Sequence, residues 1–170
     1  MSRYRVWRVG ENIDTDALAP GAYMKLDLPE LATHCLEARY PNLAAALRPA
    51  DVLVAGPGFG IGSSREQAVG VLVQLGVKAV IAPSFSGLYF RNAFNLGLLA
   101  IVCSQAEAID EDSYIEIDTE RSVLRVYPDA ETGSEPVHTF ACQTIPPFLV
   151  QMAAAGGLLA QLERKLTGAQ

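Results

Sequence analysis

The chain has 170 residues, of which 50% are hydrophobic and 19% charged, the composition of a globular protein large enough to bury a core. Its formal net charge of −6 disfavours a role in nucleic-acid binding, which needs a positively charged surface. No apolar run approaches the ~20 residues of a membrane span, residues 1–7 lack the apolar segment of a signal peptide, and the length predicts one domain over residues 1–170.

The first third of the chain predicts a strand, a polar segment and a helix. Residues 4–9 alternate in polarity as a strand does. Residues 13–19 form a short extended or looped piece with Asp14, Thr15 and Asp16, which either bind a ligand or simply make an Asx-type turn. Pro29 near the start of a helical pattern predicts a helix from residue 28 to about residue 40.

The middle of the chain alternates apolar strands with helices. The strands are predicted at 51–55, 79–82 and 98–103, and the helices at 64–75 and 85–96. Uniformly apolar strands separated by helices are typical of a parallel sheet with both faces covered. Strict alternation at 114–118 and 123–127 predicts a hairpin, followed by a strand at 137–142 and helices at 148–154 and 158–166. We therefore expect an α/β fold, with a mostly parallel central sheet covered by helices and an antiparallel hairpin extension.

A glycine-rich loop, 56–62, connects the strand at 51–55 to the following helix. We predict Ser63 or Ser64 as the N-cap of that helix, with Glu66 and Gln67 completing a capping box. A helix N-terminus beside Arg65 favours an anion such as a carboxylate or phosphate. A purely structural turn and a nucleotide-binding module remain alternatives, although the glycine spacing is G-x-G-x-G and no Walker lysine follows.

The residue types near this loop favour proton abstraction over acyl transfer. A hydrolase triad needs a histidine base, and the two histidines, His34 and His138, lie in no motif. A serine hydroxyl becomes a usable base when oriented donors hold its alkoxide. The three cysteines, Cys35, Cys103 and Cys142, show no metal-binding spacing, so we expect no metal or cluster on this chain and a reducing, cytoplasmic environment.

Four segments resemble the swivel domain of the aconitase superfamily, in particular the small subunits of 3-isopropylmalate dehydratase and their relatives. Residues 58–66 read G-F-G-I-G-S-S-R-E and resemble the family's N-F-G-x-G-S-S-R-E-H segment. Residues 12–16 and 20–25, N-I-D-T-D and P-G-A-Y-M-K, resemble an early family segment, and residues 82–93, A-P-S-F-S-G-L-Y-F-R-N-A, resemble a later one. Residues 148–159 resemble the family's C-terminal helix pair.

The resemblance implies a swivelling β/β/α domain and assigns roles to residues. Ser63 would be the base that takes the proton from the carbon next to a carboxylate, and Asp16 would be a second catalytic residue. Ser64 and Arg65 would bind the carboxylate. The remaining implied site residues are Thr15, Tyr23, Met24 and Lys25, which would contact substrate, and Gly58, Gly60, Ile61 and Gly62, which would shape the loop.

The resemblance also implies a heteromeric hydro-lyase of leucine biosynthesis. A large subunit would carry a [4Fe–4S] cluster, and the reaction would convert 2-isopropylmalate to 3-isopropylmalate through isopropylmaleate. Ile61 and Gln67 stand where the family usually has Cys and His, so methylmalate, dimethylmalate and homoaconitate-type substrates remain alternatives. A non-catalytic, anion-binding regulatory domain is an alternative of a different class.

Overall fold

In the computed structural model, which describes residues 1–168, seven strands form one sheet. They are β1 (Tyr4–Arg8), β2 (Val52–Val54), β3 (Ala79–Ala82), β4 (Leu99–Val102), β5 (Tyr114–Asp118), β6 (Val123–Tyr127) and β7 (His138–Ala141). The order across the sheet is β4-β3-β2-β1-β5-β6-β7. The same part of the chain contains the helices α1 (Thr15–Leu18), α2 (Leu28–Ala32), α3 (Leu43–Ala46), α4 (Gln67–Gln74), α5 (Gly87–Asn95), α6 (Pro147–Ala154) and α7 (Leu158–Leu166).

Half of the sheet is parallel. β1, β2, β3 and β4 pair in parallel, with Val6 opposite Val52 and Leu53 opposite Val80. Every residue of β2 and β3 is buried, as expected for parallel strands covered on both faces. The connections between these strands carry α4 and α5. The predicted α/β class and the mostly parallel central sheet are confirmed.

The other half of the sheet is antiparallel. β5 pairs with β1, β6 with β5, and β7 with β6, which confirms the predicted hairpin and its extension. The sheet curls, so the ends of its two outermost strands meet: the Gln143 N–H donates to the Val102 carbonyl at 2.9 Å. This backbone bond brings together two stretches about 40 residues apart in the chain.

Three predicted helices have different bounds in the structure. The helix expected over residues 28–40 ends at Ala32, and turns follow up to residue 39. Leu36, with a φ of 61°, cannot continue a right-handed helix, and its N–H donates instead to the Ala17 carbonyl at 2.8 Å. The helix expected over 64–75 is α4, which begins at Gln67 and not at Ser64. The helix expected over 85–96 is α5, one or two residues shorter at each end.

A buried carboxylate ties β1 to the start of β2. Asp51 is 5% exposed and accepts hydrogen bonds from Trp7 Nε1 at 2.7 Å, Arg5 Nη2 at 2.8 Å and the Arg48 N–H at 2.9 Å. Burial alone would raise the pKa of Asp51, but the bonds from Arg5, Arg48 and Trp7 outweigh it and lower the pKa. Asp51 is therefore a charged, satisfied anchor and not a candidate acid.

Within residues 1–168, the longest helices have nine residues, and none is long and apolar enough to cross a membrane.

Candidate functional site

The glycine-rich loop runs from the end of β2 to α4 in a shape that requires glycine at several positions, as Gly60 and Gly62 show. Gly60 has a φ of 80°, and a Cβ placed there would overlap the buried ring of Tyr89. Gly62 has a φ of 109°, and its Cβ would lie 3.0 Å from Thr15 Oγ1. Both backbone angles favour glycine, and both residues allow a close approach of neighbouring groups.

The loop packs along the polar segment that precedes α1. The Gly60 N–H donates to the Ile13 carbonyl at 2.7 Å, and the Thr15 N–H donates to the Ile61 carbonyl at 2.9 Å. Asp14 and Ile61 pair as an isolated parallel bridge, and Asp14 caps α1 by accepting from the Ala17 N–H at 2.7 Å. Two segments that are nearly 50 residues apart in the chain are thus joined at the site.

Two side chains, those of Thr15 and Arg65, meet at the hydroxyl of Ser63. Thr15 Oγ1 lies 3.1 Å from Ser63 Oγ and accepts the Ser63 N–H at 3.1 Å. Arg65 Nε donates to Ser63 Oγ at 2.9 Å. Thr15 is 3% exposed whereas Ser63 is exposed, so the hydroxyl of Ser63 is held from the protein side and faces outward.

Arg65 is fixed by two further contacts. Its Nη1 donates to the Ala19 carbonyl at 2.8 Å and lies 3.4 Å from Asp16 Oδ1. Asp16 Oδ1 also accepts the Gly21 N–H at 2.9 Å, which links the pair to the segment after α1. The Asp16 side chain is 70% exposed, so this ion pair adds little stability and mainly orients the guanidinium.

Ser64 is exposed, and it is positioned through its backbone. The Asn92 side-chain amide, on α5, donates to the Ser64 carbonyl at 3.1 Å. Sequence reasoning gave Asn92 no role, although it lies in the segment 82–93 that resembles the family. The same segment supports the loop through Ser84, whose Oγ accepts the Gly58 N–H at 2.9 Å.

Tyr23, Met24 and Lys25 lie apart from the hydrogen-bonded cluster around Ser63. Tyr23 stacks on His34 with ring centroids 3.7 Å apart, which fastens this segment to the turns after α2. Lys25 is exposed. Met24 lines a cavity of about 550 Å³ between α2 and α4, together with Leu26, Leu28, Leu31, Glu66, Gln67, Gly70 and Leu96. The cavity adjoins the loop because Gln67 is the first residue of α4.

The predicted N-cap and capping box are wrong. The residue that precedes α4 is Glu66, in a helical conformation and without a side-chain capping bond. Residues 63–65 stay outside the helix because the polar groups of Ser63 and Arg65 are bound to Thr15, Asp16 and Ala19. The groups that reach Ser63 Oγ are therefore the side chains of Arg65, which donates to it, and Thr15, and not helix N–H groups.

The cysteines of this chain do not fit a three-cysteine cluster. Within residues 1–168, no group of three or more His, Cys, Asp or Glu side chains is arranged to hold a metal. Cys35 is buried in the hydrophobic core, and Cys103 and Cys142 follow β4 and β7.

Known proteins match both the site and the fold. The family model described as the aconitase C-terminal domain matches residues 33–106, which include the loop and Ser63. The chain is 40% identical over 156 residues to the 3-isopropylmalate dehydratase small subunit of Nautilia profundicola, covering 91% of this chain and 90% of that protein. It is 38% identical over 162 residues to the methanogen homoaconitase small subunit of Methanocaldococcus jannaschii, covering 95% and 91%.

A solved structure has the same fold as this chain. The crystal structure of 3-isopropylmalate dehydratase from Methanocaldococcus jannaschii superposes with a TM-score of 0.84 at 37% identity, covering 98% of this chain and 96% of that one. Fold and loop thus define an aconitase-type C-terminal domain. More narrowly, the chain belongs to the family of 3-isopropylmalate dehydratase small subunits. The resemblance inferred from the sequence segments is confirmed.

Proposed function

We propose that the chain, as one swivel domain over residues 1–170, is the small subunit of a hydro-lyase that converts 2-isopropylmalate to 3-isopropylmalate through isopropylmaleate. The observation that carries the proposal is the hydroxyl of Ser63, held on an exposed loop by Arg65 Nε at 2.9 Å and Thr15 Oγ1 at 3.1 Å. Membership of the small-subunit family supports the choice of reaction.

Ser63 is the proposed base. Its Oγ takes the proton from the carbon next to a substrate carboxylate and returns a proton in the hydration direction. A serine hydroxyl is a weak base, so its deprotonated oxygen needs donors. Arg65 Nε supplies one, and Thr15 supplies the other, because either hydroxyl of the 3.1 Å pair can donate and a deprotonated Ser63 Oγ can only accept.

Arg65 and Ser64 are the proposed carboxylate ligands. Nε and Nη1 of Arg65 are bound within the chain, so Nη2 is the nitrogen that we assign to the substrate. Asp16 is proposed to position Arg65, since its Oδ1 accepts from Arg65 Nη1 and from the Gly21 N–H. Ile61, Tyr23, Met24 and Lys25 are proposed to border the substrate, and Gly58, Gly60 and Gly62 to shape the loop.

The proposed partner is a large subunit. Departure of the substrate hydroxyl needs a Lewis acid, which a [4Fe–4S] cluster with an open iron position supplies in this superfamily. Because the cysteines of this chain do not fit as its ligands, we assign the cluster to the large subunit. Residues 61–64 are all exposed, which suits a site that a second chain completes.

A homoaconitase-type substrate is the second candidate. It is favoured by relatives named methanogen homoaconitase small subunit, at 38% and 39% identity. The two substrates differ in the group attached to the malate core, one an apolar branch and the other a chain with a carboxylate. The cavity beside Met24 has a mostly apolar lining, and the carboxylate of Glu66 would repel a second carboxylate there, so the cavity favours the apolar branch.

The test is turnover by the chain mixed anaerobically with its large subunit. The substrates are 3-isopropylmalate, methylmalate, dimethylmalate and homoaconitate. Ultraviolet absorbance follows the formation of the unsaturated acid from the three malates and the loss of the unsaturated homoaconitate. We expect the highest kcat/KM for 3-isopropylmalate and no turnover by either subunit alone. A preference for homoaconitate would support the second candidate. No turnover of any of these acids by a stoichiometric complex with an intact cluster would favour a non-catalytic, anion-binding domain.

A further inference from the structure

Two cysteines that are far apart in sequence lie together where the curled sheet closes. Cys103 follows β4 and Cys142 follows β7, the strands at the two ends of the sheet. The Gln143 N–H donates to the Val102 carbonyl at 2.9 Å, and each cysteine adjoins one of these two peptide groups. Cys103 Sγ lies 3.8 Å from the Ala141 carbonyl oxygen, in the residue next to Cys142.

The two thiols influence each other, and the third is isolated. The pKa of Cys103 is lowered because the Cys142 thiol hydrogen-bonds to its sulfur, and this same interaction raises the pKa of Cys142. Cys103 is therefore the thiol of the pair that ionises first. Cys35 lies in the core, and burial raises its pKa to about 12. Access also differs, because Cys142 is half-buried whereas Cys35 and Cys103 are buried.

We propose that Cys103 and Cys142 form a reversible intrachain disulfide when the folded chain meets a small disulfide such as oxidised glutathione. The half-buried Cys142 is the thiol that the oxidant can reach, and the Cys103 thiolate is its base. Cys142 gives its proton to Cys103 as its sulfur attacks one sulfur of glutathione disulfide, and the released glutathione thiolate takes up that proton. The Cys103 thiolate then attacks the Cys142 sulfur of this mixed disulfide and releases the second. The protein loses two protons and two electrons, and the oxidant becomes two molecules of reduced glutathione.

The disulfide would lie at the same end of the sheet as the candidate site. The Cys103 N–H donates to the carbonyl of Ala82, the last residue of β3, at 3.0 Å. The segment that follows β3 supports the glycine-rich loop, through Ser84 and the Gly58 N–H. Oxidation would therefore join the β4 and β7 ends covalently beside the segment that holds the loop. Disulfide formation involves the thiols alone and does not depend on the proposed reaction.

The test is a thiol map of the folded chain after incubation in glutathione buffers of increasing oxidised fraction. The three cysteines fall on three separate tryptic peptides, 26–39, 92–121 and 126–164. After alkylation without reduction, we expect peptides 92–121 and 126–164 to appear linked and peptide 26–39 to appear alkylated. A reducing agent added before alkylation should separate the linked pair.

Two variants serve as controls. Cys35→Ser should leave the linkage unchanged, and Cys142→Ser should abolish it, leaving peptide 92–121 without a cross-link. Three alkylated peptides in excess oxidised glutathione would refute the proposal. So would a stable glutathione adduct on Cys142 without closure, or a cross-link that includes peptide 26–39. If Cys142→Ser fails to fold by circular dichroism, the wild-type map alone decides.

Discussion

The hydrogen bonds between the Thr15 hydroxyl and Ser63 offer the sharpest test of the site. Thr15→Val keeps the shape of the side chain and replaces the hydroxyl with a methyl group. The hydroxyl accepts the Ser63 N–H and lies 3.1 Å from Ser63 Oγ. The variant therefore removes both hydrogen bonds to Ser63 while the backbone bond between Thr15 and Ile61 remains.

The losses of stability and of turnover in Thr15→Val can be estimated from these contacts. Each lost hydrogen bond contributes about 1 kcal/mol to stability, and because Ser63 is exposed, water replaces part of what its N–H loses. We expect a loss of about 1–2 kcal/mol in the free energy of unfolding, or roughly 2–8 °C in Tm. The loss in turnover should be larger, about 10²-fold in kcat, because a donor to the developing negative charge on Ser63 Oγ is removed.

The assays are thermal unfolding of the chain alone and steady-state turnover of the complex with its large subunit. Thr15→Ser is the matched control, since it keeps the hydroxyl and loses only a methyl group, and its kcat should stay close to wild type. A folded Thr15→Val variant with kcat within about twofold of wild type would refute the role of Thr15 at Ser63.

Three further variants test other parts of the structure. Arg65→Lys should lower kcat/KM at least about 10-fold, because one ammonium group cannot reproduce the separate Nε and Nη1 bonds; unchanged kinetics would remove Arg65 from the site. Gly60→Ala should cost at least about 2 kcal/mol of stability in urea unfolding, because its Cβ would overlap the Tyr89 ring, whereas Gly87→Ala, which has open space, should cost nothing. Asp51→Asn should cost about 2 kcal/mol near neutral pH. Because the folded pKa of Asp51 is lowered, its contribution is complete above the unfolded pKa of about 3.9 and is lost as pH falls through the folded pKa. The difference between variant and wild type should therefore shrink below about pH 4, and a difference independent of pH would contradict the account.

The sheet was predictable because its signals are local. Uniformly apolar runs separated by helical patterns predict parallel strands, and β2 and β3 are buried along their whole length. Strict alternation predicts half-exposed strands, and β5 and β6 pair as an antiparallel hairpin. The closeness of Thr15 and Ser63 came from the family resemblance, since neither residue carries a local signal for the other.

The parts that could not be predicted depend on contacts distant in sequence. Ser63 has the local pattern of an N-cap, but its hydroxyl binds Thr15, so α4 begins later. The helix after Leu28 ends early because Leu36 turns to bond with Ala17. Sequence spacing placed Cys103 and Cys142 far apart, whereas the curl of the sheet brings them together.

The most direct test of the central claim is the kcat of Ser63→Ala in the complex with the large subunit and 3-isopropylmalate. The Ser63 N–H still bonds to Thr15 in this variant, so the loop should keep its position. Ser104→Ala, at an exposed position outside the site, is the control. The account predicts a kcat lower by about 10²–10⁴-fold for Ser63→Ala and unchanged for Ser104→Ala. A Ser63→Ala complex that turns over at the wild-type rate would contradict the assignment of Ser63 as the base.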